Sequence, residues 1–479
     1  MSDLHYLSAT EAIERFRARE LSPVELMEAV IARAGEVEPT VNALCHTFHE
    51  RALQQARAAE ARYAAGDARP LEGIPLAVKE EEAIAGQPWT QGSLIYKDLV
   101  AEHTSAFARR HLEAGAIVHA RSTAPEFSCA GFTASRIWGV TRNPWNPLYG
   151  VGGSSGGSGA ALAAGTTTLA SGSDIGGSIR IPASFNGVVG FKPPYGRVPV
   201  DPPFNLDTYC HCGPLARTVA DCALYQNQIV GPDPSDITSL RPTLLLPERF
   251  EGIEGLRIAL SADLGDWPVD PEVRANTLAL ADTLRAAGAE VDVVDVRVPR
   301  AEVELATAIH FHLAFADWIG EQAREHPGLV TPYAVDMARW CSEAAAGHTF
   351  LEEIELEARL YAPVGALLEE YDALICPTCG TRGLLADDDY VGHGLEVGGE
   401  EVPFYFGGLL TPVFNIMSRC PVLNVPSGFA ENGVPTGVQI AGRTYDDETV
   451  FRIGAALEAA GPWWGADARR PTVAVPADA

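Results

Sequence analysis

The sequence predicts an α/β fold, a sheet covered by helices on both faces and preceded by a helical segment. Three observations carry this. From about Leu71 onward, short apolar runs alternate with helix-like stretches, the pattern of strands joined by helices. Residues 1–66 carry helix-start signals instead. Apolar residues make up 47% and charged residues 20% of the chain, enough for a sizeable core and unlike a disordered chain.

Each element has a local cause. Ser8-Ala9-Thr10-Glu11 and Ser22-Pro23-Val24-Glu25 each precede an apolar pair and read as capping boxes, with Pro23 suited to a first helical turn. An Ala-rich third helix is expected over 48–64. Leu76–Val78 and Ala116–Val118 read as buried strands, with a helix over Thr104–Ala114 between them. Further strands are expected at Arg257–Leu260, Val291–Val294, Ala373–Cys376, Val422–Val425 and Gly437–Ile440. Helices are expected after Asp270-Pro271-Glu272 and after Asp447, and through most of Val298–Glu370. The Pro/Gly-rich stretches Gly231–Pro247 and Gly380–Pro403 read as surface excursions within one domain over 1–479.

The formal charge of −28 opposes direct nucleic-acid binding, which needs clustered Lys and Arg to neutralise phosphates. No apolar run approaches the roughly 18 residues of a membrane span, and the first residues lack a basic-then-apolar leader. Nine cysteines, an odd number spread over a long chain, fit reduced thiols, so a cytoplasmic location is expected.

Chemistry concentrates in one zone. Thirteen of the 51 positions from 150 to 200 are glycine, against 46 in 479 overall, and the flanks are too regular for a flexible linker. Glycine permits positive φ and close approach of backbone N–H groups to another group. Phosphate-cradle spacings are absent, and Gly153-Ser154-Ser155-Gly156-Gly157 fits a nucleophile elbow only loosely. A third option is a serine nucleophile with an oxyanion hole of amides and a distant lysine as base.

The segments Gly152-Gly153-Ser154-Ser155-Gly156-Gly157 and Gly172-Ser173-Asp174-Ile175-Gly176-Gly177-Ser178-Ile179-Arg180-Ile181-Pro182-Ala183 resemble the signature of the amidase signature family. Gly73-Ile74-Pro75-Leu76-Ala77-Val78-Lys79-Glu80 resembles that family's lysine segment. Further blocks at Thr123–Phe127, Arg142–Pro147, Gly190–Pro193, Gly213–Asp221 and Pro435–Gln439 follow in family order. The resemblance implies a large mixed sheet sandwiched by helices. It also implies a helical N-terminal cover over 1–66, a signature core over 71–222, a substrate-shaping region over 230–400 and completion of the core over 401–479.

It implies a Ser–Ser–Lys triad as well, with Ser178 as nucleophile, Ser154 as bridging serine after a cis peptide, and Lys79 as base. The amides of Ile175, Gly176, Gly177 and Ser178 would form the oxyanion hole. Ser155, Asp174 and Arg180 are expected to brace the loops. A lysine serves as a base only as the free amine, so Lys79 must be buried away from carboxylates. Glu80-Glu81-Glu82, where the family usually has Asp after the lysine, is therefore expected to point away.

Cys210-His211-Cys212 alternates in an extended run and does not converge on a metal; with Tyr209 it is expected to line the substrate pocket. Phe315, Phe404 and Phe406 are further pocket candidates. Cys376 and Cys379 read as structural thiols, and His310 and His312 as packing or surface residues. No metal or cofactor is expected. The implied activity is hydrolysis of a small carboxylic amide, with aryl amides and carbamates as candidates, by a chain that binds no nucleic acid or membrane and for which a homodimer stays open. Two alternatives remain: the glutaminase component of a tRNA-dependent amidotransferase, resembling that complex's A chain, and a catalytically silent scaffold.

Overall fold

The computed structural model describes residues 3–464 and 469–473. Its centre is an 11-stranded mixed sheet. In spatial order the strands are Leu44–Thr47, Ile117–Ser122, Pro75–Lys79, Leu169–Asp174, His211–Ala216, Val189–Lys192, Val422–Phe429, Pro435–Gly442, Ala373–Pro377, Arg257–Leu260 and Glu290–Val293. Pro75–Lys79 pairs parallel with both neighbours, whereas Leu169–Asp174 and His211–Ala216 run antiparallel. The expected strands and helices form, most with ends within two residues of those predicted, while Ile117–Ser122 and Val422–Phe429 each run four residues further than expected.

Helices cover both faces because strand side chains alternate between two cores. Leu76 and Val78 join one cluster with Phe191 and Phe451, while Ala77 faces the other with Ala170 and Leu162. The small residues on Ala77's side let the helix Gly156–Ala164, buried along its whole length, lie close on the sheet. Lys79 shares Ala77's parity. Strand geometry thus aims it at the chain that enters this helix through Ser154-Ser155.

The N-terminal cover is helical at Ala9–Ala18, Pro23–Val41 and His49–Ala65, with the edge strand Leu44–Thr47 inserted. The Ser22–Glu25 capping box forms in full. At Ser8 only one half forms, Glu11 N–H donating to Ser8 Oγ, while the Glu11 carboxylate turns to Arg15 and the amides of Ala9 and Thr10 bind the Asp221 carboxylate. Four strands of the large sheet had no apolar-run signal: Leu44–Thr47, Leu169–Asp174, Val189–Lys192 and His211–Ala216. No helix among the described residues is long and apolar enough to cross a membrane.

Candidate active site

Two turns meet above the end of the Pro75–Lys79 strand. One carries Ser154 and Ser155 into the helix Gly156–Ala164, and the other leads from Leu169–Asp174 through Ser178 to the helix Arg180–Asn186. They are tied directly: Ser155 N–H donates to Ser178 O at 3.1 Å, and Ser173 N–H donates to Ser155 Oγ at 3.3 Å. The Gly153–Ser154 peptide is cis.

Lys79 enters from below with no solvent exposure. Its Nζ donates to Ser154 Oγ at 2.7 Å and to Ser173 Oγ at 2.8 Å, and lies 3.0 Å from Glu81 Oε1. Ser178 is 7% exposed, against 1% for Ser154 and none for Lys79. Among the described residues, Ser178 Oγ makes no hydrogen bond and is not linked to Ser154. The structure therefore brings Lys79, Ser154 and Ser178 to one place, with only the first link closed.

Glu81 corrects an expectation. The strand ends at Lys79, and a turn closed by Glu82 N–H on Lys79 O at 3.1 Å carries the next residues. Alternation alone would send Glu80 away and residue 81 back to the side of Lys79. Glu80 does turn away, accepting from the amides of Gln91 at 3.0 Å and Gly92 at 3.1 Å. Glu81 takes a hydrogen bond from Ser128 Oγ as well. Burial pushes its carboxyl up, but the Lys79 charge and the hydrogen bonds from Ser128, Ser173 and Lys79 outweigh this and hold it below its ordinary value.

The expected oxyanion donors also need correction. Gly177 N–H donates to Asp174 Oδ1 at 2.8 Å and is not free for a substrate oxygen. The amides of Ile175, Gly176 and Ser178 have no protein acceptor among the described residues. Gly177 itself is required, because its φ is +121° and a Cβ there would lie 2.0 Å from Thr411 Oγ1.

Asp174 and Arg180 brace this loop. Arg180 Nε and Nη2 donate to Asp174 at 2.9 Å each, and Arg180 also reaches Gln439 Oε1 at 2.8 Å and Asn415 Oδ1 at 2.7 Å. Burial would raise the Asp174 carboxyl, yet the Arg180 charge and hydrogen bonds, with Asn415, hold it well below the usual range.

The pocket candidates separate. Phe406 and Phe311 lie against Gly176, their ring carbons 3.1 and 3.0 Å from where a Cβ would stand. Phe315 packs on Phe311 at 4.9 Å, while Phe404 stacks on Trp340 at 4.6 Å. Near Ser128, Phe127 stands edge-on to Trp318 and Tyr96. His211 is buried, with ring nitrogens facing the carbonyls of Tyr209 at 2.7 Å and Ser418 at 3.1 Å. Burial, with help from Lys192, lowers it to about 3, so it is a neutral packing residue rather than a pocket group. Cys210 is half-buried, and burial raises its thiol.

His310 is not a simple surface residue. Its ring stacks on Tyr209 at 3.7 Å between Asp207 (2.8 Å) and Glu353 (2.9 Å). Burial alone would lower it, but hydrogen bonds and charge from both carboxylates push it up to about 9. His310, Glu353 and Glu357 bring one ligand atom each within 4.8 Å. Both ring nitrogens already face carboxylates, which suits a bound proton better than a metal.

The Amidase family model matches residues 25–451. This chain belongs to the amidase family. It is a hydrolase acting on carbon–nitrogen bonds. It is 34% identical to the A chain of a glutamyl-tRNA(Gln) amidotransferase from Thermosynechococcus vestitus, over 93% of this chain and 96% of that protein. It is 32% identical to an acylamidase from Rhodococcus erythropolis, over 96% and 97%. A bacterial aryl acylamidase of the amidase signature family superposes with TM-score 0.88 at 28% identity, covering 96% of this chain and 98% of that one. The mixed sheet expected from the resemblance is the fold of this amidase.

Two outcomes follow from the braces. Arg180→Met leaves Asp174 buried without its partner and is expected to cost about 3–5 kcal/mol in denaturant unfolding; an unchanged midpoint contradicts the brace. His310 gains its proton affinity on folding, so its contribution is complete below its ordinary value of 6.5 and is lost as pH rises through about 9. The stability gap between wild type and His310→Gln should therefore shrink by roughly 3 kcal/mol between pH 6 and 10, read as urea midpoints at each pH.

Proposed function

We propose that this amidase hydrolyses a small, largely apolar carboxylic amide to acid and amine through an acyl group carried on Ser178. The observation that carries this is the buried 2.7 Å contact between Lys79 Nζ and Ser154 Oγ, beside the loop that carries Ser178. A free amine offers two N–H donors and one lone pair. Glu81, as a carboxylate, can only accept, and a hydroxyl can donate. The lone pair is then left for the Ser154 hydroxyl, which can in turn draw the proton from Ser178.

Ser178 Oγ attacks the amide carbonyl carbon, and the amides of Ile175, Gly176 and Ser178 receive the oxyanion, each well-aimed donor contributing roughly 3–4 kcal/mol. The proton passed to Lys79 returns to the leaving nitrogen, and water then releases the acid and frees Ser178. The rings of Phe311 and Phe406 beside Gly176, with Phe127, Tyr96 and Trp318 near Ser128, favour an aryl or other apolar group over a charged one. The likeness to an aryl acylamidase supports the same choice.

A glutaminase role is the second reading, favoured by the likeness to the A chains of amidotransferases. It requires glutamine hydrolysis that rises when a partner chain is added. The first reading expects the chain alone to turn over anilides and aliphatic or aryl amides faster than glutamine. For Ser178→Ala we expect at least about a 10⁴-fold loss in kcat and no labelling by a fluorophosphonate probe. Retained amide hydrolysis would overturn the nucleophile assignment.

A further inference from the structure

The proton route from Ser178 to Lys79 leaves one charged group at its centre without a task. Glu81 stands 3.0 Å from Lys79 Nζ, which also contacts Ser154 and Ser173. Its other oxygen is held by Ser128, and its backbone carbonyl accepts from Trp89 Nε1. It is thus fixed from three directions and is not a surface carboxylate that happens to fall near a lysine.

An ammonium has three N–H donors, and here three acceptors surround it: Ser154 Oγ, Ser173 Oγ and Glu81 Oε1. We propose that Glu81 is the positioning residue of Lys79, its carboxylate holding the amine against Ser154 and stabilising the ammonium that forms as Ser154 gives up its proton. This deepens the proposed Ser178–Ser154–Lys79 route and rests on it. The proton balance closes: Ser178 loses a proton to Ser154, Ser154 passes one to Lys79, and Glu81 stays a carboxylate throughout.

The arrangement has two effects. A facing carboxylate lowers the cost of forming the ammonium in a dry site. It also satisfies a third N–H that the ammonium has and the free amine lacks. The other titratable groups facing this pair are Glu82, Cys210 and Cys212. Burial raises both thiols well above their ordinary value, so they are neutral. Burial and the Glu81 charge push Glu82 up to about 8.

The test is the pH dependence of Ser178 labelling by a fluorophosphonate probe, together with kcat/KM for a hydrolysed amide. Ser178→Ala is the control that reports on the underlying route: if it still labels, that route fails independently of Glu81. For Glu81→Gln we expect the acid limb to move down by about one pH unit or more while the plateau rate falls. Repeating both curves in a Glu82→Gln background removes the titration of Glu82. A lower plateau with an unmoved limb makes Glu81 structural only and overturns the proposal. If Glu81→Gln does not fold, Glu81→Asp serves, because it withdraws the carboxylate by one methylene. A smaller downward shift of the limb then supports the proposal, and an unmoved limb overturns it.

Discussion

Everything at this site depends on keeping a lysine amine fully out of water. Burying an unpaired ammonium would cost several kcal/mol, and Lys79 has no exposure. The fold answers with hydrogen-bond partners and with position. Strand alternation puts residue 79 on the face of Ala77, where the residues are small and the glycine-rich helix can approach. That approach brings Ser154 to the amine. A larger residue at Ala77 or Ala170 would lift the helix and separate the pair. The alanines and glycines of this region are therefore as much a part of the chemistry as the hydroxyls.

Rigidity comes from a second buried charge. The Ser178 loop must turn sharply while leaving three amides unspent. Asp174 consumes the amides of Gly177 and Ile179, and Arg180 neutralises Asp174 while reaching Thr411, Asn415 and Gln439. The Ser178 loop is thereby anchored to the C-terminal part of the chain. Loop and anchor are far apart in sequence, as the 231-residue separation of Arg180 and Thr411 shows.

The strands with apolar runs were legible because alternating faces leave a pattern in single-residue hydrophobicity. The strands Leu169–Asp174 and His211–Ala216 were not, since each is rich in Ser, Gly or Pro and owes its extension to pairing with the other. The three side chains of the proposed triad were legible only through the signature motifs; nothing in the local pattern distinguishes Ser154 from Ser155. Ser128 carries no signal in the sequence, and Ser173 is only one member of the signature segment with no role marked for it, because a hydroxyl acquires a role only from what folds against it. Phe311 stands out in the sequence only as one aromatic among several, and the turn at Gly176 picks it out. His310 reads as a surface or packing residue because its two carboxylates come from residues 207 and 353.

The acidic triplet after Lys79 shows why composition fails at this scale. Glu80, Glu81 and Glu82 are chemically identical and adjacent, yet they meet three environments. Glu80 caps a loop through backbone amides, and burial raises it despite the hydrogen bonds of Thr90. Glu81 faces a cation and is held low. Glu82 is driven up to about 8 by burial and by the charge next to it. At neutral pH, then, the triplet does not present three negative charges to the amine. One carboxylate faces Lys79, one is turned to a loop, and one carries a proton. The acidic run that looked incompatible with a buried base instead delivers one directed charge, and the turn that closes on Lys79 O selects which residue supplies it.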